Sequence, residues 1–97
     1  MTRRKIRLQT VESTAVYAVG HDADAGELYV AYRSEKRGLY AYFDVSRDEW
    51  RMLHRTPSIG RYVNAHIKPR HRFEQINPAA VEMVIRPGSR GARGSPR

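Results

Sequence analysis

The sequence predicts a small α+β domain in which an antiparallel β-meander of three or four strands packs against two short helices. Three observations support this prediction. Strand-like segments dominate residues 11–45, the apolar period becomes helical after Val45, and the chain has only 97 residues. A chain of this length forms one domain around one modest core.

Three strands are predicted from segments rich in valine, threonine and tyrosine, at residues 11–20, 27–33 and 39–45. Their connections are short. HDADAG, at 21–26, reads as a turn, and SEKRG, at 34–38, reads as a hairpin loop that ends in glycine. Consecutive strands with such connections form an antiparallel meander.

Two helices are predicted after the strands. Ser46 and Glu49 have the spacing of a capping box, in which each residue satisfies a backbone amide at the start of a helix. Pro57 ends this helix, and Ser58 is the candidate cap of the second. An apolar stripe at helical spacing should be the buried face of the second helix, and it comprises Ile59, Tyr62, Val63, His66 and Ile67.

The two ends of the chain are predicted to flank a domain at residues 11–72. Residues 1–10 form a basic N-terminal arm, and residues 73–86 form an extension that packs on or near the core. Within that extension, AAVEMVIR is either a fourth strand or a turn of helix, because its period does not decide between them. Residues 87–97 are mainly Gly, Ser, Pro and Arg and are predicted to be disordered.

Positive charge is concentrated in the second half of the sequence. The formal net charge is +8, and residues 51–73 contain six basic residues and no acidic one. Such a block either solvates a helix face or attracts a polyanion such as nucleic acid. The candidate phosphate-binding residues are Arg51, Arg55, Ser58, Arg61, Lys68, Arg70 and Arg72. For Ser58, a role as a plain helix cap is the alternative.

Composition argues against several other classes of protein. No cysteine is present, and no apolar run approaches the ~20 residues that cross a bilayer, so we expect a cytoplasmic protein without a membrane partner. Three histidines, His54, His66 and His71, lie in or near the basic block, but no carboxylate or thiol near them completes a metal site. We therefore expect no metal, no cofactor and no catalytic activity.

Three segments together resemble the KTSC domain, a small bacterial and phage module that also occurs at the C-terminus of some lysyl-tRNA synthetases. They are STAVYAVGHDADAGELYVAYRS, LYAYFDV and SIGRYVNAHI. The most specific features are a Tyr-x-Tyr pair, Tyr40 and Tyr42, and a Ser-x-Gly-x-Tyr-x-Asn run that ends at Asn64. The resemblance covers about residues 11–72 and implies the fold. Its synthetase context suggests that the domain binds RNA.

The face that Tyr40 and Tyr42 occupy depends on the length of the loop before them. With four loop residues, Tyr29, Tyr40 and Tyr42 share an open face and are candidate stacking residues for nucleic-acid bases. With five, Tyr40 and Tyr42 join Leu28 and other apolar residues beneath the helices. We favour the second arrangement, because a tyrosine pair at strand spacing commonly fills a half-buried sheet.

The leading functional prediction is a non-catalytic nucleic-acid-binding module that prefers RNA to DNA. The alternative is a protein-interaction module, such as a phage-encoded factor that binds a host protein, or a homodimer formed through an exposed strand edge.

Overall fold

The structure, a computed structural model, describes residues 4–34 and 38–88. Helix α1 spans Arg47–Arg55, and helix α2 spans Ile59–Tyr62 and continues as a π-helix over Val63–Ile67. A short 3₁₀ turn, Pro78–Ala80, precedes the last strand. The strands are β1 (Arg4–Thr10), β2 (Val16–Asp22), β3 (Glu27–Tyr32), β4 (Leu39–Tyr42), β5 (Phe73–Ile76) and β6 (Val81–Arg86).

These strands form one mixed sheet in the order β5-β4-β3-β2-β1-β6. All neighbouring pairs are antiparallel except β1 and β6, which are parallel. The predicted α+β class is therefore confirmed. The predicted meander of three or four strands is too small, because β2, β3 and β4 form only the centre of a six-stranded sheet.

Strand β1 occupies the segment predicted to be a basic arm. Its side chains alternate, so that Ile6 and Leu8 are buried while Arg7 between them is exposed. Strand β6 resolves the ambiguity of AAVEMVIR in favour of a strand. It pairs with β1 in register from Arg4 opposite Val81 to Gln9 opposite Arg86.

The hairpin between β3 and β4 has the five-residue loop that we favoured. The Tyr32 amide donates to the Gly38 carbonyl at 2.9 Å, and Leu28 lies opposite Tyr42 in the next part of the ladder. Tyr40 and Tyr42 therefore lie on the face that the helices cover. Loop residues 35–37 lie outside the described part of the chain.

The main core lies between this face of the sheet and the two helices. All of its central side chains are almost completely buried, which makes it the largest source of hydrophobic stabilisation. The sheet contributes Val16, Val19, Leu28, Val30 and Tyr42, and the helices contribute Leu53, Ile59, Val63 and Ile67.

The opposite face of the sheet is also buried, although no residue of the described helices belongs to its cluster. Strands β5 and β6 are the two edges of the sheet, yet only residues 77–80 separate them in the chain. The sheet must therefore curl until its edges approach each other, and the inner side chains pack together. These are Ile6, Leu8, Ala18, Tyr29, Ala31, Leu39, Ala41 and Val81.

The predicted capping box at the start of α1 is confirmed. The Ser46 hydroxyl accepts a hydrogen bond from the Glu49 amide at 3.1 Å, and the Ser46 amide donates to Oε1 of Glu49 at 3.0 Å. These two bonds fix the point at which the chain leaves the sheet and becomes helical.

The second helix departs from the prediction in its last turn. The Lys68 amide donates to the carbonyl of Val63, five residues earlier, at 2.8 Å, which is the π-helical bond. A π turn contains more residues than an α turn, so a spacing of three residues rotates less around the axis. Val63 and Ile67 are buried as expected, but His66, predicted to share their face, is exposed.

The C-terminal part of the described chain is attached to β1. The Gly88 amide donates to the hydroxyl of Thr10 at 3.1 Å. Residues 89–97, most of the predicted disordered tail, lie outside the described residues. No helix within the two described ranges is long and apolar enough to cross a membrane.

Candidate nucleic-acid interface

The first cations of the predicted binding block lie on the solvent side of α1. Arg51 and Arg55 are four residues apart, so they project from one face of the helix, and both are exposed. Arg51 lies 3.6 Å from Asp48, but this pair is open to solvent and contributes little to stability. Both guanidinium groups therefore remain accessible to a phosphate.

Ser58 acts as the cap of α2. Its hydroxyl accepts a hydrogen bond from the Arg61 amide at 3.4 Å. Gly60 packs tightly, since a Cβ atom there would lie 3.2 Å from Cβ of Ala15. The helix-cap role that is the alternative for Ser58 is thus present, while the Arg61 side chain is exposed.

The remaining cations follow the π-helix. Lys68, Arg70 and Arg72 are exposed, and Nζ of Lys68 lies 5.5 Å from the centre of the Phe73 ring. Within residues 4–34 and 38–88, no carboxylate lies within ion-pair distance of these three side chains, of Arg55 or of Arg61. Five of the six predicted cations therefore have no anionic partner in that part of the chain.

The tyrosines do not form the open stacking face that a four-residue loop would have produced. Tyr29 and Tyr42 are only 3% and 2% exposed, so neither offers a ring face to a base. Tyr40 is half-buried and packs against Tyr42 and Phe73, with ring centres 6.3 and 5.9 Å away. Of the three candidate stacking residues, only Tyr40 retains a partly exposed ring.

The hydroxyl of Tyr29 is held in a charged cluster with Arg4 and Glu27. It donates to Oε1 of Glu27 at 2.5 Å and accepts from the Arg4 guanidinium, which also pairs with Glu27. Burial, followed by the hydrogen bond to Glu27, raises the pKa of Tyr29 above its usual value of 10.0. Tyr29 therefore stays neutral, and its cluster connects β1 to β3 across β2.

A small polar notch lies where β3 and β4 meet the π-helix. It has a volume of about 180 Å³ and is lined by Tyr32, Tyr40, Tyr42, Asn64 and Lys68. The fold thus brings the Tyr-x-Tyr pair to the last residue of the Ser-x-Gly-x-Tyr-x-Asn run. Sequence reasoning did not place Tyr32 or Asn64 in a site, although the two motifs that meet here were the available signal.

A second, larger depression runs between β1, β2 and α1. It has a volume of about 390 Å³, and its polar and aromatic lining includes Arg7, Gln9, His21, Trp50 and Arg86. Gly20 is one of its lining residues, and β1 passes so close to it that a Cβ atom there would lie 2.0 Å from the carbonyl oxygen of Arg7. This basic groove was missed because Arg7 and Arg86 meet only through the unpredicted pairing of β1 with β6.

Each of the four histidines contacts a neighbouring side chain or carbonyl group. Nε2 of His21 donates to the Val45 carbonyl at 2.8 Å, and the His21 ring stacks on Trp50, while His71 lies between the Phe43 carbonyl and Glu49. In the described ranges, no three His, Cys, Asp or Glu side chains are grouped so that they could hold a metal ion.

Comparisons with known proteins point to one family. The model of the KTSC domain family matches residues 12–73. A protein of Tsukamurella paurometabola is 37% identical over 65 residues, which are 67% of this chain and 94% of that protein. The crystal structure of a KTSC domain protein from Yersinia pestis matches with a TM-score of 0.67 and 26% identity, covering 72% of this chain and 96% of that one. The family match includes the notch but leaves β1 and β6 outside.

Proposed function

We propose that this chain, which belongs to the KTSC domain family, is a non-catalytic nucleic-acid-binding module that prefers RNA or other single strands and acts in the cytoplasm. One observation carries the proposal: five exposed cations on the helices and in the segment that follows them lack a carboxylate partner among the described residues. They are Arg55, Arg61, Lys68, Arg70 and Arg72. Unpaired surface cations favour a polyanion, because binding releases the counterions of the phosphates.

The proposed interface consists of the helical layer with its two neighbouring depressions. Arg51 and Arg55 lie on α1, and Arg61 lies about one turn before Asn64, which lines the notch. Arg7 and Arg86 add charge beside Trp50 in the groove. Contacts of this kind position a strand through its phosphates and carry little information about base sequence.

Salt dependence of binding tests this proposal directly. If the six cations of residues 51–73 each neutralise one phosphate, binding of a single-stranded oligonucleotide should weaken with a log–log slope of about −4, from roughly −0.7 per contact. Gel-shift titrations with oligouridylate at several salt concentrations measure this slope. Binding that does not change with salt would exclude a phosphate-directed interface.

A pair of variants separates charge from side-chain structure. Replacing two exposed arginines by glutamine, in R55Q/R61Q, should reduce the slope to about −3, because two phosphate contacts are lost. R55K/R61K is the matched control, since it keeps both charges and should keep the slope. Equal slopes for the glutamine and lysine variants would contradict the assignment of these residues.

An exposed strand edge favours a second candidate function, a protein-interaction module. Among the described strands, β6 pairs only with β1, and its Met83 and Ile85 are each 38% exposed. Such an edge can accept a strand from a second copy or from a partner such as a host protein.

Sedimentation after nuclease treatment tests this second candidate. A dimer that survives the nuclease and is abolished in Met83→Glu, but not in Met52→Glu, would support association through the β6 edge. Met52 is the matched control because it is exposed on α1. If the protein is a monomer at all concentrations and no other protein pairs with the β6 edge, nucleic-acid binding remains as the sole candidate.

A further inference from the structure

The notch between β4 and the π-helix combines positive charge with a dense set of hydrogen-bond donors. Its lining contains three tyrosine hydroxyls, the Asn64 amide and the Lys68 ammonium, and it contains no carboxylate. Every one of these side chains carries a donor group, and one carries a full positive charge. An anion with several acceptor oxygens is the ligand that such a lining complements.

Two of the tyrosine hydroxyls at the notch are hydrogen-bonded to each other. Tyr42 and Tyr32 are 2% and 9% exposed, and their hydroxyl oxygens are 2.9 Å apart. Phenylalanine would fill nearly the same volume without a polar atom, whereas a buried hydroxyl is costly unless it is hydrogen-bonded. The hydrogen bond between them offsets that cost, and it places a bonded pair of hydroxyls in the lining of the notch.

The π-helix supplies an independent observation at the same place. The additional residue in its turn, marked by the bond from Lys68 to the Val63 carbonyl, falls in the segment that brings Asn64 and Lys68 to the notch. Such turns are rare and occur frequently at functional sites. Both Asn64 and Lys68 are exposed, so neither is placed by burial in the core.

An aromatic wall adjoins the notch. Phe73 is 40% exposed, its ring centre lies 5.9 Å from that of Tyr40, and Nζ of Lys68 lies over it. The cavity of about 180 Å³ equals the liquid volume of about six water molecules, at roughly 30 Å³ each, which is space for a compact oxyanion but not for a whole nucleotide. A base attached to that oxyanion would lie outside the cavity, near Phe73.

We propose that the notch binds the phosphate group of a nucleotide. The Lys68 ammonium neutralises the phosphate, the tyrosine hydroxyls and the Asn64 amide donate to its oxygens, and the attached nucleoside lies against Tyr40 and Phe73. This inference deepens the proposed function, and it rests on that function where the phosphate belongs to a nucleic-acid strand. A free nucleotide presents the same chemistry, and the experiment distinguishes the two sources.

Titration of the full chain with uridine monophosphate, followed by amide NMR, tests the proposal. Uridine is the matched control because it lacks only the phosphate. We expect the nucleotide, but not uridine, to shift the Asn64 side-chain amide and the backbone amides of Tyr40 and Lys68. Inorganic phosphate should shift the Asn64 side chain and leave the amide of Phe73 unchanged.

Variants then identify the binding groups. K68M removes the charge at an exposed position, and Y32F/Y42F removes two hydroxyls while it keeps both rings. Each variant should bind uridine monophosphate at least about tenfold more weakly, since charge-assisted hydrogen bonds are lost. Y17F, at an exposed position of β2 outside the notch, should bind as the unmodified chain does. If Y32F/Y42F does not fold, K68M with its exposed side chain carries the test.

The outcomes separate this inference from the proposed function. If oligouridylate binds the unmodified chain, K68M and Y32F/Y42F equally well, the notch is not the phosphate site, although nucleic-acid binding stands. If uridine monophosphate binds at the notch and no strand binds, the notch is supported, its ligand is a free nucleotide, and the proposed function fails. Shifts that are the same for uridine and for its monophosphate would overturn the inference.

Discussion

Glu49 joins three parts of the structure through one carboxylate. Its Oε1 accepts from the Ser46 amide, and its Oε2 lies 2.7 Å from Nε2 of His71. The other ring nitrogen of His71 lies 2.8 Å from the Phe43 carbonyl, which can only accept, so Nδ1 is the donor there. The pair therefore connects the start of α1 to the end of β4 and the approach to β5.

This arrangement makes stability depend on pH. Partial burial alone would raise the pKa of the Glu49 carboxyl, but the hydrogen bonds from the Ser46 amide and from His71 outweigh it and lower the pKa below its usual value of 4.5. A lowered pKa in the folded state contributes stability above about pH 4.5, and that contribution is lost as the pH falls through the folded-state value.

Glu49→Gln should therefore reduce the free energy of unfolding at pH 7 by about 1–3 kcal/mol, because the hydrogen bonds that the charged carboxylate accepts are lost or weakened. It should also flatten the decline of stability below pH 4.5. Urea denaturation at a series of pH values measures both effects. Glu74→Gln, at an exposed position of β5, is the control. If Glu49→Gln loses stability on acidification as steeply as the unmodified chain, Glu49 is not the group responsible.

At the scale of elements, the parallel pair of β1 and β6 closes one side of the curled sheet. Val81 is 8% exposed and belongs to the same cluster as Ile6 and Leu8, so β6 covers the outer side of β1. Without β6, the hydrogen-bonding groups of β1 on that side would face water and the inner cluster would lose one wall.

Removing this element should destabilise the whole domain. A chain that ends at residue 80 should lose at least about 2 kcal/mol relative to one that ends at residue 88, since burial of Val81 alone is worth about 1.5–3 kcal/mol. For a domain of this size, the melting temperature should fall by about 8 °C or more. Thermal denaturation of the two chains makes the comparison. Equal melting temperatures would mean that β6 adds nothing to the stability of the domain.

At the scale of the whole molecule, local patterns in the sequence predicted the centre of the fold. The capping box located α1, and the preference for tyrosine pairs in half-buried strands favoured the correct register of β4. Strand β1 was missed because only Ile6 and Leu8 interrupt its polar and charged residues, and β5 because its four residues are short and largely exposed. The parallel pairing of β1 with β6 has no local signal at all.

The site was predictable only in part, for the same reason. Exposure of arginines such as Arg55 and Arg61 follows from their place on amphipathic helices, and a sequence pattern is sufficient to predict it. The notch depends instead on a π turn that brings Asn64 to Tyr42, and the groove depends on a strand pair formed by the two ends of the chain. Neither arrangement can be derived from the spacing of residues along one element.

The parallel pairing of β1 with β6, the seam of the sheet, should also set the order in which the strands pair during folding. Strands β2, β3 and β4 are neighbours along the chain and can pair early, whereas β6 must return across almost the entire described sequence to reach β1. The seam should therefore form last and open first. While it is open, β1 presents a bare edge that the β6 of another copy fits as well as its own, so two copies could exchange this strand and emerge as an intertwined dimer.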